Sequence, residues 1–273
     1  MATASSRPSL PLAGTFLLCL AGIISACQAS IDAPTEYTYT VLEERDHSTR
    51  LFTQGLLLHD GLFYESSGGY GRSRLVSYPR SGPAEGFVNH KSLPRRYFAE
   101  GLTEMEGKLY LLTWRENTLF VLDRDSFEEL TSHKYTGEGW GLTDNGDVLI
   151  RSDGSHRLFF HDREDFSLLR TLEVHKKGTP VRKLNELEYI DGFVWSNIWH
   201  DNRLVQIDLE TGHVVGYVDL TDLAEQTAPA HRESVLNGIA WDEEHQAMWV
   251  TGKNWPTLFL IRLNQLQEAN REG

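Results

Sequence analysis

Cysteine is nearly absent from this chain. The two present, Cys19 and Cys27, both fall within the first thirty residues, so from residue 28 onward no disulfide can form and the fold must rest on its apolar core. Basic charge is scarce as well: 26 Lys and Arg stand against 39 Asp and Glu, a net charge of −13. Phosphate binding needs clustered cations, so no nucleic-acid partner is expected. The eleven histidines form no HxH, HxxH or HExxH pair, which leaves no zinc signature. GGYGRS (Gly68–Ser73) lacks the Gly-Lys-Ser/Thr of a phosphate loop and reads as a hairpin connection, and no GxSxG elbow occurs. Asp-rich stretches such as DRDSFEE (Asp123–Glu129) could hold calcium, but they match no EF-hand spacing and read as turns, so no cofactor is expected.

The first thirty residues have their own character. Arg7 is their only charge, and the apolar run Thr15–Cys27 ends in small residues and is short for a membrane span. Residues 1–27 are therefore expected to be a secretory signal. The ending Ile24-Ser25-Ala26-Cys27 resembles a bacterial lipoprotein signal, in which Cys27 would be acylated. An exported, periplasmic protein follows, touching membrane only through such an anchor. Residues 28–35 are expected to be a linker, 36–264 the folded domain and 265–273 a tail.

Past the linker, short apolar runs alternate with DG, NG and Asp/Ser clusters, and the first helical signal comes only at Asp222–Glu233. Five stretches align with one another: FTQGLLLHDGLFYES from Phe52, YFAEGLTEMEGKLYLLTW from Tyr97, EGWGLTDNGDVLIRSD from Glu138, KLNELEYIDGFVWSNIW from Lys183 and VLNGIAWDEEHQAMWVTG from Val235. Each is followed by a strand-like stretch built around Leu75, Leu119, Leu158, Leu204 or Leu258. Four strands in about 45 residues is the period of a β-propeller blade. The expected fold is all-β, a five-bladed β-propeller. Its last repeat supplies only three strands, so the orphan strand at Tyr37–Glu43 should complete that blade and close the ring.

In such a ring the first strand of each blade lines a central channel. The equivalent positions there hold Gln54, Glu100, Trp140, Asn185 and Asn237, spaced by 46, 40, 45 and 52 residues. Packing alone does not require polar side chains at these positions. The second strands add Trp114, Trp199 and Lys253, with Glu65 and Asp153 nearby. Tryptophans converging on Glu100 would desolvate it and raise its pKa, as a general acid or base working near neutrality requires. Lys253 would offer a cationic donor to an oxyanion.

These segments closely resemble the plant and bacterial glutaminyl cyclotransferases, five-bladed propellers unrelated to the zinc-dependent animal enzymes. The resemblance is carried by Phe52-Thr53-Gln54-Gly55-Leu56, Tyr64-Glu65-Ser66, Glu100-Gly101-Leu102-Thr103, Thr113-Trp114, Gly139-Trp140-Gly141-Leu142, Ser152-Asp153-Gly154-Ser155, Leu184 to Tyr189, Leu236 to Asp242 and Thr251-Gly252-Lys253, in family order. Ala99 stands where a Gly is usual, and the cysteines of the plant members are missing. The resemblance implies conversion of N-terminal glutaminyl residues of peptides or proteins into pyroglutamate with release of ammonia. It also implies site positions at Gln54, Glu100, Trp114, Trp140, Asn185, Trp199 and Lys253. Glu100, Lys253 and Asn185 are the expected catalytic groups, and Gln54, Trp114, Trp140, Trp199 and Asn237 the expected substrate contacts. The partner would be a peptide with N-terminal Gln, bound by a monomer. Two other readings of the same pocket stay open: a non-catalytic envelope binding module, and a propeller lactonase or similar hydrolase needing a metal held by Asp, Glu and Asn.

Overall fold

The computed structural model describes residues 1–2, 33–83, 86–227 and 230–265. The expected signal from residue 3 onward, with its Cys27, most of the linker and the tail beyond Gln265 lie outside them. Thr35, expected to end the linker, instead begins β1 (Thr35–Asp46). Four-stranded antiparallel sheets follow in chain order. The first is β2 (Thr53–His59), β3 (Leu62–Ser67), β4 (Arg74–Pro79) and β5 (Asn89–Ser92), and the second is β6 (Ala99–Met105), β7 (Lys108–Thr113), β8 (Thr118–Asp123) and β9 (Glu129–Lys134). The third is β10 (Leu142–Asp144), β11 (Val148–Ser152), β12 (Arg157–Asp162) and β13 (Leu168–Glu173). A small hairpin, β14 (His175–Lys176) and β15 (Thr179–Pro180), leads to β16 (Leu184–Ile190), β17 (Phe193–Ile198), β18 (Arg203–Asp208) and β19 (Val214–Asp219). After helix α1 (Thr221–Thr227), inside the expected insertion, come β20 (Leu236–Asp242), β21 (Ala247–Gly252) and β22 (Thr257–Gln265).

The last sheet is completed from the other end of the chain. β1 runs antiparallel to β22 from Tyr37↔Gln265 to Asp46↔Thr257, and its first residues also pair in parallel with β19. The inner strands β2, β6, β10, β16 and β20 touch in that cyclic order, with β20 returning to β2. Five four-stranded blades therefore close a propeller ring, and β1 joins the two ends of the chain within it.

Blades two, three and four share one device at the turn between their third and fourth strands. Asp123, Asp162 and Asp208 each turn a carboxylate oxygen back onto the next backbone N–H groups. Four residues later Phe127, Phe166 and Gly212 take positive φ and close the turn. The Asp123 loop thus directs its carboxylate inward at its own turn.

The inner strands carry a second shared feature. In β2, β6, β16 and β20 the pairing register breaks at the second or third residue, between Thr53 and Gly55, Ala99 and Leu102, Leu184 and Leu187, and Leu236 and Ile239. Such bulges re-aim side chains and occur beside sites. Here they fall on Gln54, Glu100, Asn185 and Asn237. Neighbouring inner strands approach closely at these points. A Cβ on Gly101 would stand 2.5 Å from the Gly141 carbonyl carbon, so only glycine fits. Blade four departs from this rule with Glu186. Its fully buried carboxylate accepts N–H bonds from Leu56 (3.4 Å) and Ile239 (2.9 Å), tying blade four to blades one and five.

Candidate active site

The bulges open onto a cavity of about 310 Å³. That is the low end of ligand pockets, room for about one residue of substrate. Its walls bring together seven of the eight residues singled out from the sequence: Gln54, Glu100, Trp114, Trp140, Asn185, Trp199 and Lys253. Phe52, Phe98 and Glu233 complete the lining.

Asn237 is placed elsewhere. It is fully buried outside the lining, and its Nδ2 donates to the Thr53 carbonyl (2.9 Å) and to Gln54 Oε1 (3.4 Å). It therefore fixes Gln54 rather than facing the cavity. Glu65 is also outside the pocket, fully buried and accepting from Thr53 Oγ1 (2.7 Å) and Tyr78 OH (2.7 Å) beside His47. Asp153 caps the N–H of Ser155.

Glu100 is 5 % exposed. Burial pushes its pKa well above the usual carboxylate range; Lys253 opposes that rise, and the nearby Glu138 and Glu116 add to it. Gln54 Nε2 donates to Glu100 Oε1 at 3.2 Å, so one carboxylate oxygen is held in place. Lys253 is equally buried. Desolvation lowers its pKa, against the pull of Glu100 and Glu233, and its Nζ lies 5.0 Å from the centre of the Phe52 ring. The pocket thus holds an acid made more basic and an ammonium made more acidic than either would be in water.

The aromatic wall has a single organiser that the repeat pattern did not reveal. Glu138 Oε2 accepts from the indole N–H of Trp114 (2.7 Å) and of Trp140 (3.0 Å), while Oε1 accepts from Arg115 (3.0 Å). Its partial burial would raise its pKa, but these bonds outweigh burial and hold it ionised. Trp140 in turn meets Trp199 edge-to-face, with centroids 5.6 Å apart at 87°. Asn185 is 2 % exposed, and its Nδ2 has no protein partner. A buried unpaired donor in a pocket wall is costly unless a ligand oxygen meets it.

Two of the missed lining residues, Phe52 and Phe98, and Glu138 behind the wall had a signal: each stands two positions before the polar or Trp position of its repeat. Glu233 had none, because it lies in the insertion after α1. Among the described residues, one group offers three ligands to a metal: Asp242, Glu244 and His245, at the far end of β20. Arg80 already occupies it, 3.1 Å from Asp242 and 3.3 Å from Glu244.

Comparison with known proteins finds relatives over most of the chain. The glutamine cyclotransferase family model matches residues 15–263. A glutaminyl-peptide cyclotransferase of Arabidopsis thaliana is 37 % identical over 231 residues, which cover 82 % of this chain and 71 % of that protein. The structure of glutaminyl cyclase from Myxococcus xanthus superposes with a TM-score of 0.80 at 36 % identity, over 86 % of this chain and 100 % of the other.

Proposed function

The chain belongs to the glutamine cyclotransferase family, and on that premise we propose that it converts N-terminal glutaminyl residues of peptides to pyroglutamate with release of ammonia, using Glu100 as proton shuttle. The observation that carries the reading is a desolvated carboxylate and a buried lysine facing one residue-sized, tryptophan-walled cavity.

The chemistry needs a neutral amine. With an ordinary pKa of about 7.7 to 8.0, the substrate α-ammonium gives its proton to the Glu100 carboxylate. The freed amine attacks its own γ-carboxamide carbon, forming the ring C–N bond and pushing the carbonyl electrons onto oxygen. Lys253 and the unpaired Asn185 amide are the donors to that oxyanion. Glu100 then protonates the departing nitrogen and takes a proton from the ring nitrogen. The carbonyl re-forms, the C–N bond to ammonia breaks, and ammonia removes the last proton from Glu100. Because attack is intramolecular, holding the side chain folded back against the tryptophans supplies much of the rate. The same walls keep water from the carboxamide, favouring cyclisation over hydrolysis.

The test is ammonia release from a Gln-initiated dipeptide, with and without chelator. Release that survives chelation is expected. Loss on chelation would favour a metal hydrolase, and no release would favour a binding module. The leader supports export and acylation at Cys27, and a mass measurement of the mature N-terminus tests both.

A further inference from the structure

The GGYGRS segment, which the catalytic reading leaves without a role, holds an exposed aromatic packed against the pocket wall. Tyr70 is 52 % exposed. Its ring packs against two lining residues, 5.4 Å from Phe98 at 76° and 6.4 Å from Trp114 at 35°. Three other large exposed apolar side chains, Leu130 in β9 and Leu168 and Leu169 in β13, lie on outer strands.

Tyr70 is also held rigidly. Its hydroxyl donates to Glu116 Oε1 (2.8 Å), whose other oxygen accepts the N–H of Phe98 (3.2 Å). Gly69 and Gly71 adopt positive φ on either side of it. The Gly71 N–H bonds the Arg95 carbonyl (3.0 Å), and Ser73 Oγ ties the Gly69 carbonyl (2.9 Å) to the Ala99 N–H (3.0 Å). The loop is thus anchored to the strand that carries Glu100. A pre-ordered aromatic face binds an apolar group at little entropic cost.

We propose that Tyr70, continuing the Phe98–Trp114 wall outward, is the subsite for the side chain of the substrate's second residue, selecting aromatic and large apolar residues there. The inference rests on the cyclase reading. The amine and side chain of the first residue fill the cavity, so the second residue must leave across its mouth. The Tyr70 phenol, its pKa raised to about 12 by burial and by Glu116, stays a protonated donor and keeps the ring in place.

The experiment compares kcat/KM for Gln-Phe-amide and Gln-Gly-amide, read as ammonia, in wild type, Tyr70→Ala and Tyr70→Phe. Wild type should prefer Gln-Phe-amide by about fivefold to tenfold, the yield of one good aromatic contact. Tyr70→Ala should bring the ratio near one, and Tyr70→Phe should keep it. Tyr70→Leu replaces the alanine variant if that fails to fold, and it too should lower the ratio. Ammonia from both peptides with the same ratio in wild type and Tyr70→Ala overturns this inference alone. No ammonia from either peptide in wild type overturns the cyclase reading and this inference with it.

Discussion

Replacing Glu138 by Gln separates two things that one carboxylate does. Glu138 holds the indoles of Trp114 and Trp140, and its charge disfavours ionisation of Glu100. Bonds to a charged acceptor contribute about 1.5 to 3 kcal/mol against about 0.5 to 1.5 for neutral ones, so the change weakens each indole bond by about 1 kcal/mol. The Glu138 side chain is 37 % exposed. Solvent screening roughly halves the effect, leaving about 1 kcal/mol in all, or about a fivefold fall in kcat/KM. The second effect has a sign that looser packing would not produce. Removing the neighbouring negative charge lowers the Glu100 pKa, so the acid limb of the pH–rate profile moves to lower pH. Steady-state ammonia release between about pH 5 and 9 measures both. An acid limb that stays in place or moves upward would refute the electrostatic coupling. An unchanged kcat/KM would refute the role of Glu138 in holding the wall.

Three further outcomes are expected. Lys253→Met should cost about 100- to 1,000-fold in kcat, as loss of an oxyanion donor does. It should also move the acid limb upward, because Lys253 is the group that lowers the Glu100 pKa; a wild-type profile would exclude this role. Gly101→Ala should destabilise by about 1 to 3 kcal/mol or more, since its Cβ would meet the Gly141 backbone, and thermal unfolding at the wild-type temperature would contradict the close strand approach. The raised Glu100 pKa means the folded state holds this proton more tightly than the unfolded state. Its stabilising effect is full below the unfolded value and is lost as pH rises through the folded one. Glu100→Gln should therefore unfold at a higher temperature than wild type at about pH 8, with the difference vanishing below about pH 4.

The ring was legible because each blade repeats its inner-strand pattern, and closure because the last repeat lacked a strand that Tyr37–Glu43 could supply. The parallel pairing of β1 with β19 carried no mark, since edge pairing depends on where two distant strands meet in space. The bulges were equally hidden, although they aim Gln54, Glu100 and Asn185 into one cavity. Glu186 sat in a glycine column as an anomaly, explained only when its carboxylate was seen bridging blades one and five. Asn237 shared its column with Gln54 but turns its amide onto Gln54 itself. Equivalent repeat positions share a backbone path, and the neighbours of each decide whether its side chain faces ligand or protein.

The central claim is that Glu100 moves the proton in cyclisation, and one comparison tests it most directly. Wild type and Glu100→Gln are given a Gln-initiated dipeptide, and ammonia and pyroglutamyl product are measured together. Equal amounts of both from wild type, and a loss of about a thousandfold in a variant with an unchanged β-sheet circular dichroism spectrum, are predicted. Near-wild-type turnover by Glu100→Gln would contradict the account.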